Sequence, residues 1–174
     1  MRALVAIALI ATPAAAETRL GGGYMMTRPI AGDAGGADHA IVLRWEQAVR
    51  AGLDLGLAVQ GGHAPGNDEE TLTRLAVMPT LGVRGELGEL IVRGDIGVGW
   101  QLAHGRAKFA GIPARGTEAR GLRAELGLSA TAALTTRVAL RARIGVVLDG
   151  TFPVSLPSST RLGPLVEAAL VLGL

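Results

Sequence analysis

The sequence predicts an all-β fold: an antiparallel up-and-down barrel of eight strands, preceded by a cleavable export segment. Three observations carry that prediction. Apolar residues recur at every second position over most of the chain, which is the period of a β-strand. Glycine and proline, 26 and 8 of the 174 residues, interrupt the chain too often for long helices. The connections between the alternating segments are long and short in turn.

Residues 1–16 read as a signal peptide. Arg2 supplies a positive start, and Ala14-Ala15-Ala16 offers the small residues a signal peptidase reads. The apolar run from Ala3 to Ala11 is shorter than the ~20 residues a membrane-spanning helix needs. Cleavage would leave Glu17 first, and residues 17–174 form one barrel domain.

The strands follow in order. Thr18 to Thr27 is glycine-rich, with Leu20, Tyr24 and Met26 on one side. A short second strand sets Ile41, Leu43 and Trp45 against Arg44 and Glu46. The third opposes Leu53, Leu55, Leu57 and Val59 to Asp54, Gly56 and Gln60, and the fourth opposes Leu75, Val77, Leu81 and Val83 to Arg74, Thr80, Gly82 and Arg84. Pro79 has no N–H to give the ladder, which predicts a bulge or irregular pairing in the fourth strand. The fifth, Leu90 to Ala103, sorts Leu90, Val92, Ile96, Val98, Trp100 and Leu102 from Arg93, Asp95, Gly97, Gly99 and Gln101. The same dyad runs through Arg120 to Thr131, through Arg137 to Asp149, and from Arg161 to the final Leu174.

Between them, Arg28–Asp38, Ala64–Glu70, His104–Thr117 and Gly150–Ser159 are long connections, while Ala48–Gly52, Glu86–Gly88 and Ala133–Thr136 are short. Long external loops and short periplasmic turns are what a transmembrane barrel has. Large Leu, Val and Ile occupy one parity and Gly, Ala, Ser and charges the other. Only small and charged residues suit the narrow bore of eight strands, so the large parity is expected to face lipid. Tyr24, Trp45 and Trp100 fall near strand ends on that parity, at interface heights. The alternative, a soluble periplasmic barrel carrying a small apolar ligand, needs the opposite parity inside.

The alternation and the connection lengths together resemble the small eight-stranded outer-membrane barrels typified by the transmembrane domain of outer membrane protein A. The resemblance covers the mature chain at the level of pattern. It implies location in the outer membrane, contact with outer-membrane lipid and lipopolysaccharide, and insertion by the barrel-assembly machinery. That family's last strand usually closes on Phe or Trp, whereas this one ends in Leu174. The departure bears on recognition by the machinery, not on the strand.

Composition removes several functions. No cysteine means no disulfide, thiolate chemistry, cysteine-bound zinc or lipoprotein anchor. Seventeen basic against 15 acidic residues, interspersed, give no nucleic-acid footprint. His39, His63 and His104 sit at long loops, where a lipid-modifying barrel enzyme would place its catalytic groups. The outer-membrane lipid A deacylases, similar in size, use a His with a Ser two residues on, but Gly105 and Arg106 follow His104. Without a nucleophile in reach of a base, no catalytic residue is assigned. Asn67-Asp68-Glu69-Glu70 lacks the spacing of a calcium loop, and Gly94, Gly97 and Gly99 belong to a strand rather than a phosphate loop. No metal or cofactor follows.

Two loops remain candidates for contact. Arg106, Lys108 and Arg115 could meet lipopolysaccharide phosphates. Phe152, Val154 and Leu156, between Pro153 and Pro157, make an apolar tip expected to pack on the rim or touch lipid or a partner. Inside, the polar parity collects Arg19, Arg44, Arg74, Arg84, Arg93, Arg123, Arg141, Arg143 and Arg161 beside Glu46, Asp54, Glu86, Asp95, Glu125, Asp149 and Glu167. Buried charges must pair. Asp95, Glu125, Arg141, Arg143 and Glu167, at midheight, are expected to form one ion-pair network that plugs the lumen. The function so implied is a non-enzymatic barrel with a structural or surface-interaction role, a gated charged channel being the competing reading of the lumen.

Overall fold

A strand with one greasy and one polar face needs a different medium on each side, and its edges need hydrogen-bonding partners. Closing the sheet on itself meets both demands. In the computed structural model the described residues, 17–31, 37–50, 52–65, 70–109, 112–113, 117–153 and 159–173, do this. The elements are β1 (Thr18–Thr27), β2 (Asp38–Arg50), β3 (Leu53–Pro65), β4 (Glu70–Leu87), β5 (Leu90–Phe109), β6 (Ile112–Pro113), β7 (Thr117–Ala133), β8 (Val138–Pro153) and β9 (Ser159–Gly173). Each wall strand pairs antiparallel with its sequence neighbours, β5 passing directly to β7, and the β1–β9 ladder closes the ring. Among the described residues the two-residue β6 pairs with Lys108 and Phe109 at the tip of β5. The wall therefore has the eight expected strands.

The strands are longer than the alternation alone suggested. The second is not short: it runs 13 residues and carries a register shift between Ala48 and Arg50. Strand pairing takes Ala64, Pro65 and Glu70 from the second long connection, leaving 66–69 between β3 and β4. At Pro79 the sequence suggested a bulge or irregular pairing. The β4–β5 ladder skips Met78 and Pro79 but resumes in the same register, so a gap is present and a bulge is not. Two of the short turns use Gly52 (φ +76°) and Gly88 (φ +62°), in the left-handed region where glycine carries no Cβ penalty.

Parity is as expected on every wall strand. Leu43, Leu57, Leu81, Ile96, Trp100, Leu126, Ile144 and Leu170 are exposed on the outside, Trp100 at 71%. Arginines and carboxylates fill the inside together with Ala58, Ala76 and Val42, and also with the larger Met25, Met78 and Leu165, which a lining of small and charged residues alone does not include. This arrangement is a soluble barrel turned inside out, which excludes the soluble alternative. No helix among the described residues is long and apolar enough to cross a membrane. Residues 1–16, the expected signal peptide, lie outside the described residues.

Candidate functional site

Alternation on eight strands aims every second side chain at one axis, and strand tilt brings residues from different positions in their strands to one level. The meeting point in this lumen is Glu125 of β7. Its Oε1 accepts from Gln60 Nε2 at 2.8 Å and Arg123 Nε at 3.0 Å. Its Oε2 accepts from Arg143 Nη1 at 3.1 Å and Arg44 Nη2 at 3.4 Å. All five residues are buried.

Each guanidinium then reaches a further carboxylate. Arg143, 1% exposed, donates through Nη2 and Nε to both oxygens of Asp95, at 2.7 and 3.2 Å. Arg44 forks onto Glu167 at 2.9 and 2.7 Å, which also lies 3.6 Å from Arg143. Arg123 holds Asp149 at 2.8 and 3.0 Å. Towards the loop end, Arg74 joins Asp149 at 3.2 Å to Asp38 at 2.5 Å.

Towards the turn end the chain continues through Arg93, which lies 3.3 Å from Asp95 and 3.0 Å from Glu46. Arg141 grips Glu46 with both terminal nitrogens, at 2.6 and 2.7 Å. Asp54 lies 3.5 Å from Arg93 and 3.4 Å from Arg84, and Arg84 ends on Glu17 at 2.9 Å. Partial burial works against the Glu17 carboxylate, but hydrogen bonds from Arg84 and Arg19 outweigh it and hold its pKa below the usual value. Ion pairs thus connect without a break from Glu17 at one mouth to Asp38 near the other.

Two inward glycines make room for this. A Cβ on Gly82 would stand 2.3 Å from Arg93 Nε, and one on Gly127 would stand 2.4 Å from Arg143 Nε. The guanidiniums lie flat on bare backbone. At the loop end a Cβ on Gly163 would meet the Arg28 carbonyl oxygen at 2.3 Å, so the first loop tucks its backbone against the rim there. A cavity of about 20 Å³, lined by Thr27, Asp38, Gln60, Arg74, Gln101 and Arg123 among others, lies just below, with room for about one water.

Of the five residues picked out from sequence, Arg143, Asp95, Glu125 and Glu167 are in direct contact. Arg141 is not among them: it crosses to Glu46, whose contact with Arg93 leads on to Asp95. Arg44, Arg93, Arg123, Glu46 and Asp149 share the inward parity but lie outside the midheight set that the sequence marks. In the sequence Gln60 is marked only as an inward residue of its strand. Their levels depend on barrel tilt, which no single strand encodes.

The loop candidates scatter. Arg106 and Lys108 belong to β5, opposite Thr71 and Pro113, and Phe152 belongs to β8, opposite Arg120. Arg115, Val154 and Leu156 lie outside the described residues. His104 is paired with Thr73 and Glu118 in the ladders. His39 and His63 face each other across β2 and β3.

No protein-family model and no curated protein sequence matches the chain. Solved structures do match it in fold. A major outer membrane protein of Thermus thermophilus has a TM-score of 0.60 at 12% identity, covering 90% of this chain and 99% of that one. Ail, the attachment invasion locus protein of Yersinia pestis, scores 0.56 at 11% identity, covering 89% and 98%. It was also solved with the heparin analogue sucrose octasulfate, a structure scoring 0.52. The outer membrane protein OprG of Pseudomonas aeruginosa scores 0.55 at 11% identity, covering 92% and 96%. Each comparison spans nearly the whole of both chains, so the likeness is to complete small barrels rather than to part of a larger one.

Proposed function

We propose that the chain is an outer-membrane barrel whose lumen is plugged by its own ion pairs, serving a structural or surface-interaction role rather than acting as a general pore. The observation that carries this reading is the unbroken series of arginine–carboxylate contacts from Glu17 to Asp38. An eight-stranded bore is only wide enough to be filled by side chains, and here long guanidiniums cross it. Export through the segment 1–16 and insertion by the barrel-assembly machinery belong to the same reading.

On this reading the activity at the surface is non-enzymatic and lies in the long loops together with the strand ends that carry them, which hold Arg106, Lys108 and Phe152. Arg106, Lys108 and Arg115 supply cations for phosphate or sulfate groups, as on lipopolysaccharide. The structure of Ail with a polysulfated ligand supports this by analogy of fold. Phe152, Val154 and Leu156 offer the apolar contact, to lipid or to a partner.

Conductance tests the plug. The purified barrel in planar bilayers is expected to show no steady current. A lasting conductance comparable to that of a porin would mean that the bore is open and that the reading is wrong. Recovery in the outer-membrane fraction, with heat-modifiable migration on gels, is the expected result for location.

A further inference from the structure

The lipid-facing wall carries an unusual polar group near its loop end. His39 of β2 and His63 of β3 are direct cross-strand partners, and both are exposed on the outward parity. Directly opposed residues hold their Cβ atoms about 4.5–5.5 Å apart. Two imidazoles on such a pair can each bring a ring nitrogen to about 2.0–2.1 Å from one metal ion.

A third residue prepares one of them. The Tyr24 hydroxyl is hydrogen-bonded to His39 Nδ1, with the two ring centroids 5.8 Å apart. When Nδ1–H donates to that oxygen, Nε2 carries the free lone pair. An outer partner on one ring nitrogen is how metal-ligating histidines are commonly oriented. The wall beside the pair is also open. A Cβ on Gly61 would meet nothing within 4 Å, and a groove lined by Tyr24, His39, Ile41, Gly61, His63 and Thr73 runs past both rings.

We propose that His39 and His63 form a two-imidazole site for a borderline divalent transition-metal ion such as Zn²⁺, Ni²⁺ or Cu²⁺, with Tyr24 as the positioning residue. Water entering from the loop side fills the remaining coordination positions. Imidazole selects these ions over Mg²⁺ and Ca²⁺, which take oxygen ligands. The three residues are too far apart in sequence to form a motif, and only the register of β1, β2 and β3 brings them together. His104 lies on the same outward row but is separated from His63 by Thr73. Two strand spacings, roughly 10 Å, keep it out of a shared site, so it serves as an internal control for a lone imidazole.

The test is a calorimetric titration of ZnCl₂ into the whole barrel refolded in detergent micelles, with excess Mg²⁺ present and folding verified by heat-modifiable migration. One ion per barrel is expected. His39→Ala and His63→Ala should each weaken binding by about tenfold or more, His104→Ala should leave it unchanged, and Tyr24→Phe should weaken it less than either ligand loss. The ¹⁵N signals of the His39 ring should report Nδ1 protonation in the wild type and lose that preference in Tyr24→Phe. His39→Gln and His63→Gln, which keep a polar side chain of similar length, repeat the test should either alanine variant fold poorly. Binding unaffected by loss of His39 or His63, or weakened equally by loss of His104, would show independent single imidazoles and overturn the proposal.

Discussion

Removing Glu125 tests whether the lumen is held by charge or merely by filling. Its carboxylate receives hydrogen bonds from Arg44, Arg123, Arg143 and Gln60. Hydrogen bonds to a charged group contribute about 1.5–3 kcal/mol each, but a simple sum overstates the loss. Arg143 retains Asp95, Arg44 retains Glu167 and Arg123 retains Asp149. Over the whole ion-pair series of the described residues, however, eight arginines then face seven carboxylates, and that uncompensated positive charge in a buried network puts Glu125→Ala at about 3–5 kcal/mol. Glu125→Gln separates the causes. It keeps the volume and one acceptor oxygen but removes the charge, so on the electrostatic account it should lose nearly as much, roughly 3 kcal/mol. On a packing account it should resemble the wild type. Urea titration in phospholipid vesicles reads the difference, because Trp45 and Trp100 stand on the outer wall and report their passage from lipid to water. Losses below about 1 kcal/mol for both variants, the range of an exposed pair, would refute the reasoning.

The outer wall and the glycine seats give further tests in the same titration. Ile96→Arg and Ile144→Arg, at exposed midstrand positions, should each cost about 2–4 kcal/mol if they meet the bilayer core; tolerance of both would mean that this face is not in lipid. Gly127→Ala drives a methyl into the Arg143 guanidinium and should cost about 1–3 kcal/mol. Gly97→Ser should cost less, because a Cβ there meets nothing nearer than a Thr80 methyl, at 3.2 Å. The reverse order would show that Arg143 is not fixed where it lies.

Parity was legible because its period is two residues and each face has its own medium: Leu90 through Leu102 on β5 gave the outward row directly from the chain. Strand ends were not. Asp38 and His39 are polar on both parities and so show no alternation to mark them as strand, yet pairing with β1 carries β2 out to them. The central network was half legible for a related reason. Charge type and parity marked Arg143, Asp95, Glu125 and Glu167, whereas Arg141 meets Glu46 from 95 residues away. That partnership depends on the stagger of the closed barrel, which is a property of all the ladders together. Gln60 escaped because a neutral amide among so many charges gave no sign that it would help to satisfy the central carboxylate.

The flat seating of guanidiniums on glycine constrains how such a chain can diverge. Arg93 over Gly82 and Arg143 over Gly127 are each a pair in which the large member occupies the volume the small one vacates. A lineage cannot enlarge either glycine while its arginine remains, but once the arginine is shortened the glycine becomes free to grow. Relatives are therefore expected to change the two positions jointly, arginine and glycine giving way to a smaller residue facing a larger one. Such coupled exchange would leave the bore filled while erasing the sequence similarity by which the relationship is recognised.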